Sequence, residues 1–389
     1  MVDMKALING KIIHNDGIHE DRVLLMDQKI KAIVDVPSFL QKEVDEIIDV
    51  KGHYISPGFI DIHIHGSGGC DTMDGSVDAL KTISNRILTY GTTGFLPTTM
   101  SMDMQTIYTA LDTVKEAMTI DLGGANILGV HLEGPFINKA YKGAQKEDTI
   151  IPPDYNLLKD YMDIIKIITM APEIEGSKAF IQAFKQESNA TLAIGHSAAS
   201  YEEAMEAIQA GISHCTHIFN AMTPLHHRNP GVVGAAFNSF ISCELIADKI
   251  HVHPELFKLL LKIKGEAQLV LVTDAIRGSC MKDGSYELGG QMVEVREGRA
   301  QLPDGRLAGS VLTLNKAIQN FVEVTNEPLY KVIKLASLNP AKVIGIDDRK
   351  GSIEVGKDAD VIVFDEGLNV RMVFIEGSIR LGGSYDKPI

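Results

Sequence analysis

Residues 57–66 read PGFIDIHIHG. After the Pro-Gly break the run alternates strictly, and side chains of a strand alternate between its two faces. Ile60, Ile62 and Ile64 therefore share one face, while Asp61, His63 and His65 share the other. Three aliphatics suit a face covered by helices. Two imidazoles two residues apart at the end of a strand can grip one metal ion. An isolated H-x-H also describes two hydrogen-bonded core histidines, so the reading depends on what the rest of the chain brings to the same place.

Working outward, further strand-like runs occupy 94–99, 127–133, 164–171, 191–196, 213–219, 242–247 and 268–273. Helical patterns lie between them, at 77–90, 104–118, 177–185, 201–210 and 255–264. Repeated strand–helix units imply a parallel sheet, and eight of them imply an α/β fold of the TIM-barrel, (β/α)8 type. A doubly wound open sheet is the alternative. The ends of the chain read differently. Short strands and turns fill the first 53 or so residues, including RVLLMD at 22–27 and IKAIV at 30–34, with Asn9-Gly10 and Asp16-Gly17 as turn signals. Strand-like runs return at 352–354, 360–364 and 370–376. Both termini are expected to pair into one small β-sandwich domain. The divisions are 1–55 for its first part, 56–345 for the barrel and 346–389 for its second part.

The polar residues share one address. His63, His65, Glu133, His196, His217 and Asp274 all sit at or just past the C-terminal ends of strand runs, and in a TIM barrel that end carries the active site. Four histidines and a glutamate at four strand tips make a ligand set for one or two divalent ions. Nitrogen and oxygen donors suit zinc, iron, manganese or cobalt alike. Asp274 closes the aliphatic run LVLVTD, which makes it a further ligand or the proton carrier that metal-assisted hydrolysis needs. The loop HHRNPG adds His226, His227 and Arg228, and IHVHP adds His251 and His253. A guanidinium among histidines suits a phosphate.

Composition narrows the partners. The 389 residues are 45% hydrophobic and 23% charged, enough for a large core. With Lys+Arg at 37 and Asp+Glu at 51 the net charge is −14, so no nucleic-acid partner is expected. No basic amphipathic stretch suggests a membrane surface, and no apolar run reaches the ~18 residues of a membrane span. The first 25 residues lack the pattern of a signal peptide. The four cysteines are scattered, with no C-x-x-C, as reduced cytoplasmic thiols would be. Phosphate-loop and dinucleotide fingerprints are absent, so no nucleotide cofactor is indicated.

PGFIDIHIHG, HLEGPF, GHS, THIFNAM and LVTDA, in this order, resemble the amidohydrolase superfamily. More narrowly, HLEGPFIN, THIFNAMTPLHHRNPGVVGAA, ADKIHVHP and LAGS look like its N-acetylglucosamine-6-phosphate deacetylase branch, and the likeness covers almost the whole chain. That resemblance implies hydrolysis of the acetamide of N-acetyl-D-glucosamine 6-phosphate to D-glucosamine 6-phosphate and acetate, in amino-sugar catabolism. It implies Glu133, His196 and His217 as the principal metal ligands and Asp274 as the catalytic acid and base. It further implies Asn220, Ala221, Ala144 and the Leu307-Ala308-Gly309 run as substrate contacts. Arg228 and His251 match the phosphate-binding pair, supplied by the neighbouring subunit of a homodimer. Two positions depart from one branch of the family. His65 stands where that branch has glutamine, which suggests room for a second ion. Gln145, in KGAQ, stands where a histidine polarises the substrate carbonyl, and a second metal could assume that role. The rivals are an N-acetylgalactosamine-6-phosphate deacetylase, another amidohydrolase such as a cyclic-amide hydrolase or deaminase, and a non-catalytic interaction protein on the same fold. Cyclic-amide hydrolases often carry a carboxylated lysine on the fourth strand; Lys166 lies too early in its run to match, and Glu133 suits the bridging place.

Overall fold

A computed structural model describes residues 3–39 and 44–382. Parallel strands run in chain order: β1 (Phe59–Ile64), β2 (Thr92–Pro97), β3 (Val130–Glu133), β4 (Ile165–Met170), β5 (Thr191–Ile194), β6 (His214–Cys215), β7 (Ser242–Ile246) and β8 (Leu269–Val272). β1 pairs with β2, and β3 to β8 form one continuous parallel sheet. Single bridges, Thr98 to His131 and Ile64 to Ala275, join β2 to β3 and β8 back to β1. The circle is a TIM barrel. Its strands are buried on both faces, which is why β8 is the unbroken aliphatic run LVLV.

The helices that cover the barrel start where their caps say. Ser76 accepts from the Ala79 N–H to open α1 (Val77–Leu88), and Asp103 accepts from Thr106 to open α2 (Met104–Ala117). After α3 (Ser177–Glu187), Ser200 and Glu203 form a reciprocal capping box for α4 (Tyr201–Ala210). A short α5 (Gly231–Phe237), α6 (Glu255–Lys264) and α7 (Leu314–Thr325) follow, and the short α8 (Leu329–Leu335) and α9 (Leu338–Val343) complete the ring. Their inward faces, including Leu80, Ile107, Phe180, Phe257 and Phe321, join the barrel's outer face in one large core. Among the described residues no helix is long and apolar enough to cross a membrane, and all four cysteines are unpaired.

Three of the expected strands differ. The run at 213–219 is a strand only over His214–Cys215, because the chain turns left-handed at His217 (φ 27°) and again at Phe219 (φ 79°). The run at 127–133 breaks at Gly129, whose φ of 138° and contacts demand glycine: a Cβ there would lie 2.4 Å from Lys166 Cγ and 2.6 Å from the Ile164 carbonyl. Residues 352–354 form no strand, although Ile353 is buried in the core of the terminal sheets. The sequence reading also passed over an antiparallel meander after β8, with strands Gly284–Leu288, Gln291–Arg296 and Arg299–Gln301. Leu288, Val293, Val295 and Ala300 pack it on Met100 and Ile276, which brings it over the C-terminal mouth of the barrel.

The chain ends meet. Tyr54–Pro57 pairs in parallel with Lys11–His14 on one side and antiparallel with Val361–Phe364 on the other. This six-stranded sheet shares a core with a four-stranded sheet of N-terminal strands, through Leu7, Leu24 and Met26 against Ile55, Val361 and Phe374. Of the C-terminal part assigned to 346–389, residues 383–389 lie outside the described residues.

Candidate metal centre and active-site cleft

Three site residues sit where the backbone leaves its strand in a left-handed conformation: His196 (φ 48°), His217 (φ 27°) and Asp274 (φ 49°). Each costs a non-glycine residue about 1–3 kcal/mol and persists only where its surroundings enforce it. Here they do. The Asn138 N–H donates to the His196 carbonyl at 2.9 Å, and the Asp274 N–H donates to the His63 carbonyl at 2.8 Å. The Asp274 carbonyl in turn accepts from Ser310 at 2.7 Å. Each turn delivers its side chain into the barrel mouth.

There the groups converge on Glu133. Its Oε1 lies 3.1 Å from His217 Nε2, 3.2 Å from His196 Nε2 and 3.5 Å from His63 Nε2. Its Oε2 lies 3.4 Å from His65 Nε2. Asp274 Oδ1 stands 3.2 Å from His65 Nε2 and 3.5 Å from His63 Nε2. Two triads with metal-ligand spacing result, His63/His65/Glu133 and Glu133/His196/His217, with Glu133 common to both. Two ligands on one tetrahedral ion with bonds of 2.0–2.1 Å sit about 3.3–3.4 Å apart. The 3.1 Å between His196 Nε2 and His217 Nε2 is close to that.

The outer partners decide what the inner nitrogens are. His63 Nδ1 donates to Glu244 Oε2 at 2.8 Å, and His196 Nδ1 donates to the Tyr141 carbonyl at 3.0 Å. Both rings then hold their hydrogen outward and turn an Nε2 lone pair toward carboxylate oxygens. Lone pair facing lone pair is repulsive unless a cation lies between. His63 Nε2 is buried with no hydrogen-bond partner. Without a metal, protons fill the gaps. Burial opposes a charge on His63, yet Glu244, Asp274 and Glu133 outweigh it and raise the ring to about 9. Burial likewise opposes charge on His65, and Asp274 and Glu133 raise it well above its usual range. Glu133 is pushed up by burial but held well below the carboxylate range by His196 and His63. Asp274 is held low against burial by His63 and His65. The donor set fits one or two divalent ions.

Several of these supports escaped the sequence reading. Glu244, on β7, is fully buried and also accepts from the His217 N–H at 2.9 Å and meets His214 Nε2 at 3.2 Å. A carboxylate inside the apolar run SCELIA was the available signal. His131 packs edge-on against His63, bonded to the Ile62 carbonyl and Thr169; burial, with His63 beside it, drives it down to about 3, so it stays neutral. Asp61 shares the inward face with His63 as expected but does not reach the cluster. It lies deeper, accepting from Thr273 Oγ1 at 2.6 Å, with its pKa raised by burial to about 7.

Above the cluster opens a cleft of about 410 Å³. Ala144, Gln145, Asn220, Ala221, His251, Leu307 and Gly309 line it with His65, Glu133, His196, His217 and Asp274. Ala308 does not; it is buried with Ile276 and Leu288 under the meander. His251, expected from a neighbouring subunit, lines the cleft of its own chain, anchored through Nδ1 to Asp248 at 2.7 Å. Arg228 is on an exposed loop, its guanidinium 2.6 Å from His227 Nε2, and does not line this cleft. Gln145 is engaged at both ends of its amide: Nε2 donates to Glu133 Oε2 at 2.7 Å, and Oε1 accepts from the Ser101 N–H at 2.6 Å. It orients the shared carboxylate. Lys139, Lys142 and Arg306 stand on the rim, none of them singled out from the sequence.

Residues 54–380 match the Amidohydrolase family. The chain belongs to that family. Amidohydrolases are metal-dependent, in keeping with the ligand cluster. Among relatives, this amidohydrolase is similar to an N-acetylglucosamine-6-phosphate deacetylase of Bacillus subtilis (strain 168), 44% identical over 332 residues and 83% of each chain. It is also similar to an N-acetylgalactosamine-6-phosphate deacetylase of Escherichia coli O157:H7, 34% identical over 95% of this chain and 97% of that one. The crystal structure of N-acetylglucosamine-6-phosphate deacetylase from Pasteurella multocida superposes with a TM-score of 0.92 at 33% identity, covering 97% of this chain and 99% of the other.

Two predictions follow from the hydrogen-bond network. Glu244→Gln removes the charge that holds His63 in its ligating tautomer, so metal affinity should fall about 10–100-fold; competition with a chelating dye measures it. Metal must also displace the His63 proton. Affinity should therefore rise with pH throughout the range below about 9, where His63 carries the proton that the metal displaces, with proton release on binding. Calorimetric titrations of stripped protein in buffers of different ionisation heat read both.

Proposed function

We propose that this chain hydrolyses the acetamide of N-acetyl-D-glucosamine 6-phosphate to D-glucosamine 6-phosphate and acetate, using one or two divalent ions. The observation that carries the reading is the meeting of Asp274 with the Glu133-centred ligand cluster at the floor of the cleft, 3.2 Å from His65 Nε2. The names of the relatives supply the substrate class. His63, His65, Glu133, His196 and His217 would hold the ions, drawn from zinc, iron, manganese or cobalt.

When bound, such an ion supplies Lewis acidity toward the acetamide carbonyl and acidifies water at the site. The protein's own residues do the rest. Asp274, kept ionised by His63 and His65, accepts a proton from the attacking water as its oxygen bonds to the acetyl carbon. The C–N bond then breaks, and Asp274 returns the proton to the departing nitrogen, because an amide anion is too basic to leave unprotonated. Glu133 stays in place through Gln145. Asn220, Ala221, Ala144, Leu307 and Gly309 form the walls for the sugar. The phosphate, with about −1.5 to −2 charges, meets His251 of the same chain. In our reading it also meets Arg228 of a second copy in a cytoplasmic homodimer.

Asp274→Asn keeps size and shape but cannot carry the proton. Acetate release should fall at least ~10²-fold, with metal content kept; loss of metal instead would make Asp274 a ligand. Arg228→Ala should weaken the phosphorylated substrate by about 1.5–3 kcal/mol and leave unphosphorylated N-acetylglucosamine unaffected. The same acetate assay on the galacto epimer tests the nearest rival: faster release from N-acetylgalactosamine 6-phosphate would overturn the gluco assignment.

A further inference from the structure

The N-terminal hairpin gathers a second set of ligand groups, none shared with the cleft. Its strands Lys11–His14 and Gly17–His19 pair antiparallel, with Ile12 opposite His19 and His14 opposite Gly17. Residues opposite each other in a ladder share a face, as do residues two apart in a strand. His14 and His19 therefore stand on one face, diagonally across the ladder. Gly17, opposite His14, has no side chain, and the space where its Cβ would project is open. Asp16, from the turn, sends Oδ1 between the two rings, 2.8 Å from His14 Nδ1 and 2.9 Å from His19 Nε2. The rings are nearly perpendicular, with centroids 5.8 Å apart.

We propose that His14, Asp16 and His19 form a surface site for a divalent transition-metal ion. The three ligand atoms lie within 4.8 Å of one another. Two imidazole nitrogens and one carboxylate oxygen select zinc, nickel, cobalt or copper over magnesium and calcium, which favour all-oxygen shells. Both histidines are partly exposed, so an ion enters directly from solvent and keeps water in its remaining positions. The turn is tied down before metal arrives: the Asn15 amide donates to the Glu354 carboxylate, linking the hairpin to the C-terminal part of the chain. An ion here would draw three neighbouring segments of the hairpin together and stabilise that link by mass action.

The test is a zinc count on the whole protein. Wild type, His14→Gln/His19→Gln and Asp16→Asn are dialysed against graded zinc chloride and analysed by atomic absorption. Wild type should hold one more zinc per chain than the double variant, and Asp16→Asn should need higher zinc to reach the same count. Acetate release should be equal in all three, since the cleft is untouched. Equal counts in wild type and double variant across the titration would overturn the site. Should the double variant fold poorly, ring signals of labelled histidines in wild type decide the matter. Nickel should broaden His14 and His19 before the exposed pair His226 and His227, and simultaneous broadening overturns the proposal.

Discussion

The buried Glu133 carboxylate lies against the Nε2 atoms of four imidazoles, and those of His63 and His196 turn a lone pair, not a hydrogen, toward it. That electrostatic conflict at Glu133 organises the rest of the molecule. His63 and His196 cannot simply donate to Glu133, because Glu244 and the Tyr141 carbonyl already hold their hydrogens on the far side. Only a cation, a proton or a metal, reconciles the groups. Proton uptake by the histidines and metal affinity are thus two expressions of one arrangement, and each competes with the other.

Holding such an arrangement takes a scaffold stiffer than a loop. The closed barrel supplies it. Its strands end at one rim, and the left-handed turns at His196, His217 and Asp274 aim side chains that a continuing strand would have pointed along the wall. Supports come from distant parts of the chain: Glu244 from β7 reaches His63 on β1, and Gln145 from the loop after β3 reaches Glu133. The cluster can be ordered before substrate arrives, which is the condition for electrostatic catalysis.

Much of this was legible in order along the chain. Alternation in FIDIHIH predicts a strand with both histidines on one face, because side-chain period in a strand is a local property. Apolar runs leading to Glu133, His196 or Asp274 predict polar residues at strand tips for the same reason. Other residues carried no local sign of their role. Gln145 looked like a weak substitute for a catalytic histidine; only its two contacts, to Glu133 and Ser101, make it an orienting group. His251 and Arg228 looked like a pair, yet one lines the cleft of its own chain and the other does not. Ala308, between two cleft-lining residues, turns into the core under the meander.

The sequence by itself determined the barrel, the pairing of its ends, and the residue types at its mouth, since these follow from periodicity, turn chemistry and hydrophobic burial, all written over a few consecutive residues. Tertiary structure alone decided which nitrogen of each histidine faces inward, which carboxylates are shared, and that His251 lines the cleft while Arg228 does not. Those depend on partners far apart in the chain, such as His63 and Glu244, whose meeting is set by closure of the barrel and not by any neighbouring residue.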